Sequence, residues 1–186
     1  MNQVYILDSS ALLSVQQVLT FFSDTDEHAS NTFLTTADII SELKDQISKL
    51  RVESMISSQA LFVKDVEKQS LEFIDNYCKQ IGNFERLSYQ DRSILSLAWQ
   101  EHQKDNTSDV IILSDDYEIQ NTAKIIKLQF KPVKSKGISY SAKFKKFCMA
   151  CGEVLDEEDT FCPECGSTSI KKKKYGLGRK KYSRRY

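Results

Sequence analysis

Two short cysteine knuckles, Cys148-x-x-Cys151-Gly152 and Cys162-x-x-Cys165-Gly166, constrain this chain more than any other feature. Two thiolates two residues apart chelate one ion when the backbone curls tightly, and the following glycine relieves the turn. Two such knuckles, ten residues apart, supply a tetrahedral four-cysteine zinc site whose closed shell makes it structural. The competing readings are two disulfides, four free thiols or a redox pair. The N-terminus, MNQVYILDSSALL, lacks the basic segment and long apolar run of a secretory signal. No stretch approaches the roughly 20 apolar residues that cross a bilayer. A cytoplasmic, reducing location is therefore expected, in which paired cysteines bind metal. Residues 147–170 hold too little core to fold unaided, so zinc is expected to supply most of their folding free energy. Cys78 stands apart on an apolar helical face and reads as core.

The knuckles fall in the basic part of a chain whose zero formal charge conceals a polarity. Residues 1–130 carry 11 Lys/Arg against 20 Asp/Glu, and residues 131–186 carry 15 against 6. The expected division is an acidic domain over 1–133, able to bury its own core, then a basic linker over 134–146. A small ribbon over 147–170 and a basic, flexible tail over 171–186 follow.

Within the acidic part, strands are expected at 3–8, 32–36, 59–66, 109–113 and 127–133. Helices are expected at 9–22, 37–58, 67–82, 87–103 and 114–126, with Ile39, Ile40, Leu43, Ile47 and Leu50 on one face of the second. The run DVIIL at 109–113 reads as a buried parallel strand. Pro132 suits an edge. Alternating strands and helices give an α/β fold, a parallel sheet flanked by helices.

Ligands in such sheets gather beyond the carboxyl ends of the strands, and acids fall there. Asp8 ends the first strand, Asp115 and Asp116 follow DVIIL, Glu42 lies within about one turn of the start of a helix that follows a strand, and Asp91 lies in the first turn of its own helix. Each has a structural role open to it. Asp91 completes a capping-box-like Ser88-x-x-Asp91, Asp115 and Asp116 suit a helix N-terminus, and Glu42 suits a solvated face. Asp8 is the exception, because a carboxylate directly after an apolar strand is costly unless paired or coordinated. Carboxylates converging at one edge call for a cation, and hard oxygen ligands favour Mg²⁺ or Mn²⁺.

The segments YILDSSALL (5–13), TTADIISELKD (35–45), LSYQDRSILSLA (87–98) and VIILSDDYEIQNTA (110–123) together resemble the successive motifs of PIN-domain nucleases. The resemblance implies a divalent cation held at Asp8, Asp91 and Asp116, with Glu42 as ligand or water-orienting base and Asp115 as an additional neighbouring acid. Ser10 falls where the family places a small polar group. It also implies cleavage of single-stranded RNA. A PIN domain followed by one four-cysteine zinc ribbon and a basic tail is similar to the archaeal form of the Nin-one-binding protein family. That resemblance implies an endoribonuclease that matures the 3′ end of small-subunit ribosomal RNA, acting on the pre-ribosomal particle. A PIN-type toxin ribonuclease and a non-catalytic ribosome-assembly adaptor are the competing expectations. The tail carries Lys171, Lys172, Lys173, Lys174, Arg179, Lys180, Lys181, Arg184 and Arg185 with three tyrosines and no acid. That composition suits phosphate neutralisation combined with base stacking. Lys134, Lys136, Lys143, Lys145 and Lys146 extend the positive strip.

Overall fold

The computed structural model describes residues 3–14, 18, 31–104, 109–138 and 141–175. The two most apolar runs become neighbouring central strands, β1 (Gln3–Leu7) and β4 (Asp109–Leu113). With β2 (Asn31–Thr35), β3 (Phe62–Val63) and β5 (Gln129–Lys131) they form a sheet of order β3-β2-β1-β4-β5. Every pairing in it is parallel. A parallel sheet is covered on both faces, which is why Ile6, Leu7, Ile112 and Leu113 are all fully buried.

The described helices are α1 (Ser9–Leu12), α2 (Ala37–Glu42), α3 (Gln46–Ser57), α4 (Lys68–Gln80), α5 (Tyr89–Lys104) and α6 (Tyr117–Ile125). The single helix expected over 37–58 is instead two. Leu43 is extended, and Asp45 restarts the helix by accepting from the Ser48 N–H at 2.8 Å. The break re-phases the apolar stripe, so Ile39, Leu43 and Val52 are buried while Ile47 and Leu50 are exposed. The strand expected over 59–66 shrinks to an exposed two-residue edge. Cys78 is core, as expected. Beyond residue 14, the helix expected over 9–22 lies outside the described residues except at Val18, and so does nearly all of the loop after it.

A second sheet follows, antiparallel and of order β7-β6-β8, from β6 (Lys143–Cys148), β7 (Val154–Leu155) and β8 (Ile170–Tyr175). This corrects two expectations. Lys143, Lys145 and Lys146 are strand rather than linker, and Lys171, Lys172, Lys173 and Lys174 are strand rather than flexible tail. The ladder pairs Lys145 with Lys173 and Lys146 with Lys172, a repulsive arrangement unless relieved. It is relieved locally. Lys172 Nζ reaches Glu157 at 2.9 Å and Glu85 at 3.3 Å, and Lys146 donates to the carbonyls of Glu157 and Asp159. Lys145 lies over the Tyr175 ring at 4.7 Å and Lys173 over Phe147 at 5.8 Å. Ile170 anchors the strand on a small cluster of Cys148, Leu155 and Cys162. Arg179, Lys180, Lys181, Arg184 and Arg185 lie outside the described residues.

The second sheet is seated on the first unit. The Phe144 N–H donates to the Ile81 carbonyl at 2.8 Å, and the Arg86 guanidinium covers the Phe144 ring at 4.6 Å. Gly82 makes the approach possible. Its φ is +71°, and a Cβ there would stand 2.1 Å from the Phe144 carbonyl oxygen.

Candidate active site

Strand order reverses beside β1, with β2 on one side and β4 on the other, so the crevice of the sheet opens beyond Leu7 and Leu113. Asp8 is the first residue past β1, and Ser114, Asp115 and Asp116 follow β4. The Asp8 carboxylate is buried. One oxygen accepts from the Ala11 N–H at 2.9 Å and the Ser10 hydroxyl at 2.8 Å, and the other accepts from the Ser114 hydroxyl at 2.5 Å. Burial pushes its pKa up to about 6 despite those three donors, and the negative charge of Asp116 adds to the rise.

Ser114 joins two of the acids, because its oxygen also accepts from the Asp116 N–H at 3.0 Å. Asp116 caps α6, accepting from the N–H groups of Glu118 at 2.6 Å and Ile119 at 3.2 Å. Glu42 and Asp91 form a second pair. The start of α2 is tied to α5 by a 3.1 Å contact between the Thr36 and Ser93 hydroxyls. Burial, then the charge of Asp91, raises the Glu42 pKa, opposed by a hydrogen bond from Ser9, the neighbour of Asp8. Asp91 does cap its helix: one oxygen accepts from the Ser88 N–H at 2.7 Å, and the Asp91 N–H donates to Ser88 Oγ at 3.1 Å. Arg92 stiffens that turn by pairing with Asp75 at 2.8 Å, donating to the Leu87 carbonyl at 2.8 Å and stacking over Phe84 at 4.3 Å.

The negative charge of Asp116 thus acts on Asp8, and that of Asp91 acts on Glu42. Among the described residues, the four cysteines alone bring three or more ligand atoms within 4.8 Å of one another. Asp115 is otherwise engaged. Its carboxylate accepts from the backbone N–H groups of Val133 and Lys134 at 3.0 Å and Ser135 at 2.8 Å. Burial would raise its pKa, but these donors prevail and lower it. It acts as a latch on 133–135. The sequence did not single out Ser114, although a hydroxyl between a buried strand and an acid pair is a usable signal.

In the ribbon, Cys148 Sγ lies 3.5 Å from Cys165 Sγ, and Cys151 Sγ lies 3.6 Å from Cys162 Sγ. A tetrahedron with Zn–S of about 2.3 Å has edges of about 3.8 Å, so the cluster fits zinc. Each knuckle closes by a glycine N–H donating to a cysteine carbonyl, Gly152 to Cys148 at 3.0 Å and Gly166 to Cys162 at 2.8 Å. The fold subdivision expected from the sequence, a parallel α/β unit and then a four-cysteine ribbon, is what the chain adopts.

A family model described as the PIN domain of ribonuclease matches residues 5–100. Among curated proteins the chain is similar to Endoribonuclease Nob1 of Pyrococcus abyssi, 34% identical over 135 residues, which cover 72% of this chain and 79% of that protein. The Archaeoglobus fulgidus protein of the same name is 28% identical over 168 residues, 90% of each chain. Ribonuclease VapC1 of Thermoplasma acidophilum is 25% identical over 166 residues, 89% of this chain and 76% of that protein. Sheet, edge acids and family match define the class as PIN-domain ribonucleases. Within that class the chain belongs to the Nob1 family of endoribonucleases. No helix among the described residues is long and apolar enough to cross a membrane.

Proposed function

We propose that this chain is a divalent-metal-dependent endoribonuclease that cuts single-stranded precursor RNA at the 3′ end of small-subunit ribosomal RNA, within the pre-ribosomal particle. The observation that carries the metal dependence is the buried Asp8 carboxyl, surrounded by neutral donors and joined through Ser114 to the backbone of Asp116. The donor set is all oxygen, which suits Mg²⁺ or Mn²⁺. Asp8, Asp91 and Asp116 would hold the cation, and Glu42 would be a further ligand or orient the attacking water. When bound, such an ion polarises the phosphodiester and activates water for in-line attack.

The protein's own groups set the rest. Ser114 and Ser10 fix the Asp8 carboxylate, and Ser114 also holds the backbone that presents Asp116. The upward shift of Glu42 makes it a better proton acceptor near neutral pH than an ordinary exposed carboxylate. Asp115 is left out of the metal set, since its oxygens serve the backbone of 133–135. RNA affinity comes from the ribbon and the chain beyond it. Lys171 and Lys173 are exposed on β8 beside Phe147, Lys145 and Tyr175, while Lys172 is committed to Glu85 and Glu157. Zinc at Cys148, Cys151, Cys162 and Cys165 keeps that surface folded.

The test is incubation with a short RNA spanning the immature 3′ end, with and without Mn²⁺. A single mapped cut that needs Mn²⁺ and is lost in Asp8→Asn is expected. Equal cutting of transfer or messenger RNA would favour a general ribonuclease, and RNA binding with no cutting in any metal would favour the assembly adaptor.

A further inference from the structure

Between the sheet-edge acids and the ribbon lies a cleft of about 340 Å³, lined by Arg86, Tyr117, Asn121, Gly137, Phe144 and Lys174 among others. We propose that this cleft takes one unstacked nucleotide of single-stranded RNA, adjacent to the bond being cut, with the Tyr117 ring as its stacking face. The proposal rests on the nuclease reading above and adds a binding subsite to it.

Position is the first argument. Tyr117 directly follows Asp116 and opens α6, so the aromatic face and the acid are consecutive residues on one helix start. Tyr117 is 58% exposed.

Chemistry is the second. The cleft combines an open aromatic with two cations, Arg86 and Lys174, and one carboxylate, Glu118, whose charge Arg86 offsets. An aromatic beside a net positive charge is the pairing that single-strand binders use to stack bases and neutralise phosphate. Lys174 stands opposite Phe144 in the β6–β8 ladder, and both line the cleft. Alternation along β8 turns Lys172 and Lys174 towards the nuclease unit, where Lys172 meets Glu85. Arg86 is anchored by Glu118 and stacked on Phe144, so that wall is already rigid. The volume is at the small end of ligand clefts, about 300–1,000 Å³, which suits a single nucleotide and excludes a duplex.

The third argument is that the back wall is built. The Asn121 amide bonds both the carbonyl and the N–H of Ala142, at 2.9 and 2.6 Å. The Gln120 amide accepts from the Ile138 N–H at 2.9 Å and donates to the Ser114 carbonyl at 2.8 Å. Gly137 has φ +66°, and a Cβ there would lie 3.2 Å from Pro132 Cγ. That wall is backbone, tied through Gln120 to the serine that bridges Asp8 and Asp116. The Asn121 amide is thereby spent on the wall, which leaves stacking on Tyr117 as the main contact with the base.

The experiment uses the full zinc-loaded chain carrying Asp8→Asn, so that RNA is bound and not cut, and a short single-stranded RNA with one 4-thiouridine. Tyr117→Ala should weaken binding about 5- to 160-fold, and Tyr117→Phe should leave it within about twofold. Lys174→Ala should lower the salt slope by about 0.7. Irradiation with Tyr117 intact should crosslink the RNA to Tyr117 or to Gly137, Ile138, Ala142 or Phe144 of the cleft wall, which decides the matter even if the alanine variant misfolds. Unchanged affinity in Tyr117→Ala, or crosslinks confined to other surfaces, would overturn the subsite while leaving the nuclease reading standing. RNA neither bound nor cut by the unsubstituted protein would remove both.

Discussion

Replacing Asp8 with Asn removes a charge that the fold holds against burial. The native carboxyl titrates at about 6 instead of 3.8. A shift of about 2 units at roughly 1.36 kcal/mol each makes the ionised form about 3 kcal/mol less favourable in the folded chain than in the unfolded one. The sign follows from proton binding. The folded state holds this proton more tightly, so stability falls as pH rises from about 4 to about 6 and is flat beyond. Asn keeps the acceptor for Ala11 and Ser10 and carries no charge. At pH 7.5, with zinc retained and no Mg²⁺ or Mn²⁺ added, Asp8→Asn should be more stable than the parent by up to about 3 kcal/mol. For a chain of this size that is roughly 6–12 °C in Tm. At pH 4.5 the gap should nearly close. Adding Mn²⁺ at pH 7.5 should raise the parent's Tm and leave the variant's almost unmoved, because the cation offsets the repulsion between Asp8 and Asp116. Thermal melts followed by circular dichroism read all three conditions. A variant less stable than the parent at pH 7.5, or a gap independent of pH, would refute the reasoning.

Three further outcomes follow from the packing. Gly82→Ala should cost at least about 1–3 kcal/mol, since it combines a left-handed φ with a Cβ driven into the Phe144 carbonyl; hydrogen exchange at the Phe144 amide should accelerate most. Asp115→Ala strands the N–H groups of Val133, Lys134 and Ser135, at a cost of about 1–3 kcal/mol. Exchange should rise at 133–135, and Mn²⁺ affinity should hold to within a few-fold. Cys162→Ser, or stripping zinc with a chelator, should abolish exchange protection in β6 to β8 and spare the five-stranded sheet.

The parts of this fold that were legible in the sequence are those fixed by local chemistry. YIL and DVIIL are apolar on both faces and declare central parallel strands. The CxxCG knuckles carry their own geometry. Asp8 stands out because ionised oxygen after a buried strand has to be accounted for. The parts that were not legible depend on partners far along the chain. Nothing near Leu43 says that Asp45 will restart the helix and expose Ile47 and Leu50. The run Lys171 to Lys174 has no apolar alternation, and it is a strand only because β6 offers a ladder and because Glu85, Glu157, Phe147 and Tyr175 absorb its charge. Ser114 becomes a bridge only when β4 lies beside β1 and brings it to Asp8, 106 residues away. Asp115 neighbours the site through its N–H, which donates to Ser10 Oγ, and nothing in the sequence signalled that its carboxylate would also latch the segment leading to the ribbon.

The most direct test of the proposed cation site is a Mn²⁺ titration by calorimetry on the zinc-loaded protein and on Asp8→Asn, Glu42→Gln, Asp91→Asn and Asp116→Asn, with RNA cutting assayed on the same samples. Loss of about tenfold or more in Mn²⁺ affinity for the Asp8 and Asp116 variants, together with loss of cutting, is the expected result. Full Mn²⁺ affinity retained in both of those variants would mean that the acids at the end of the sheet do not share a cation.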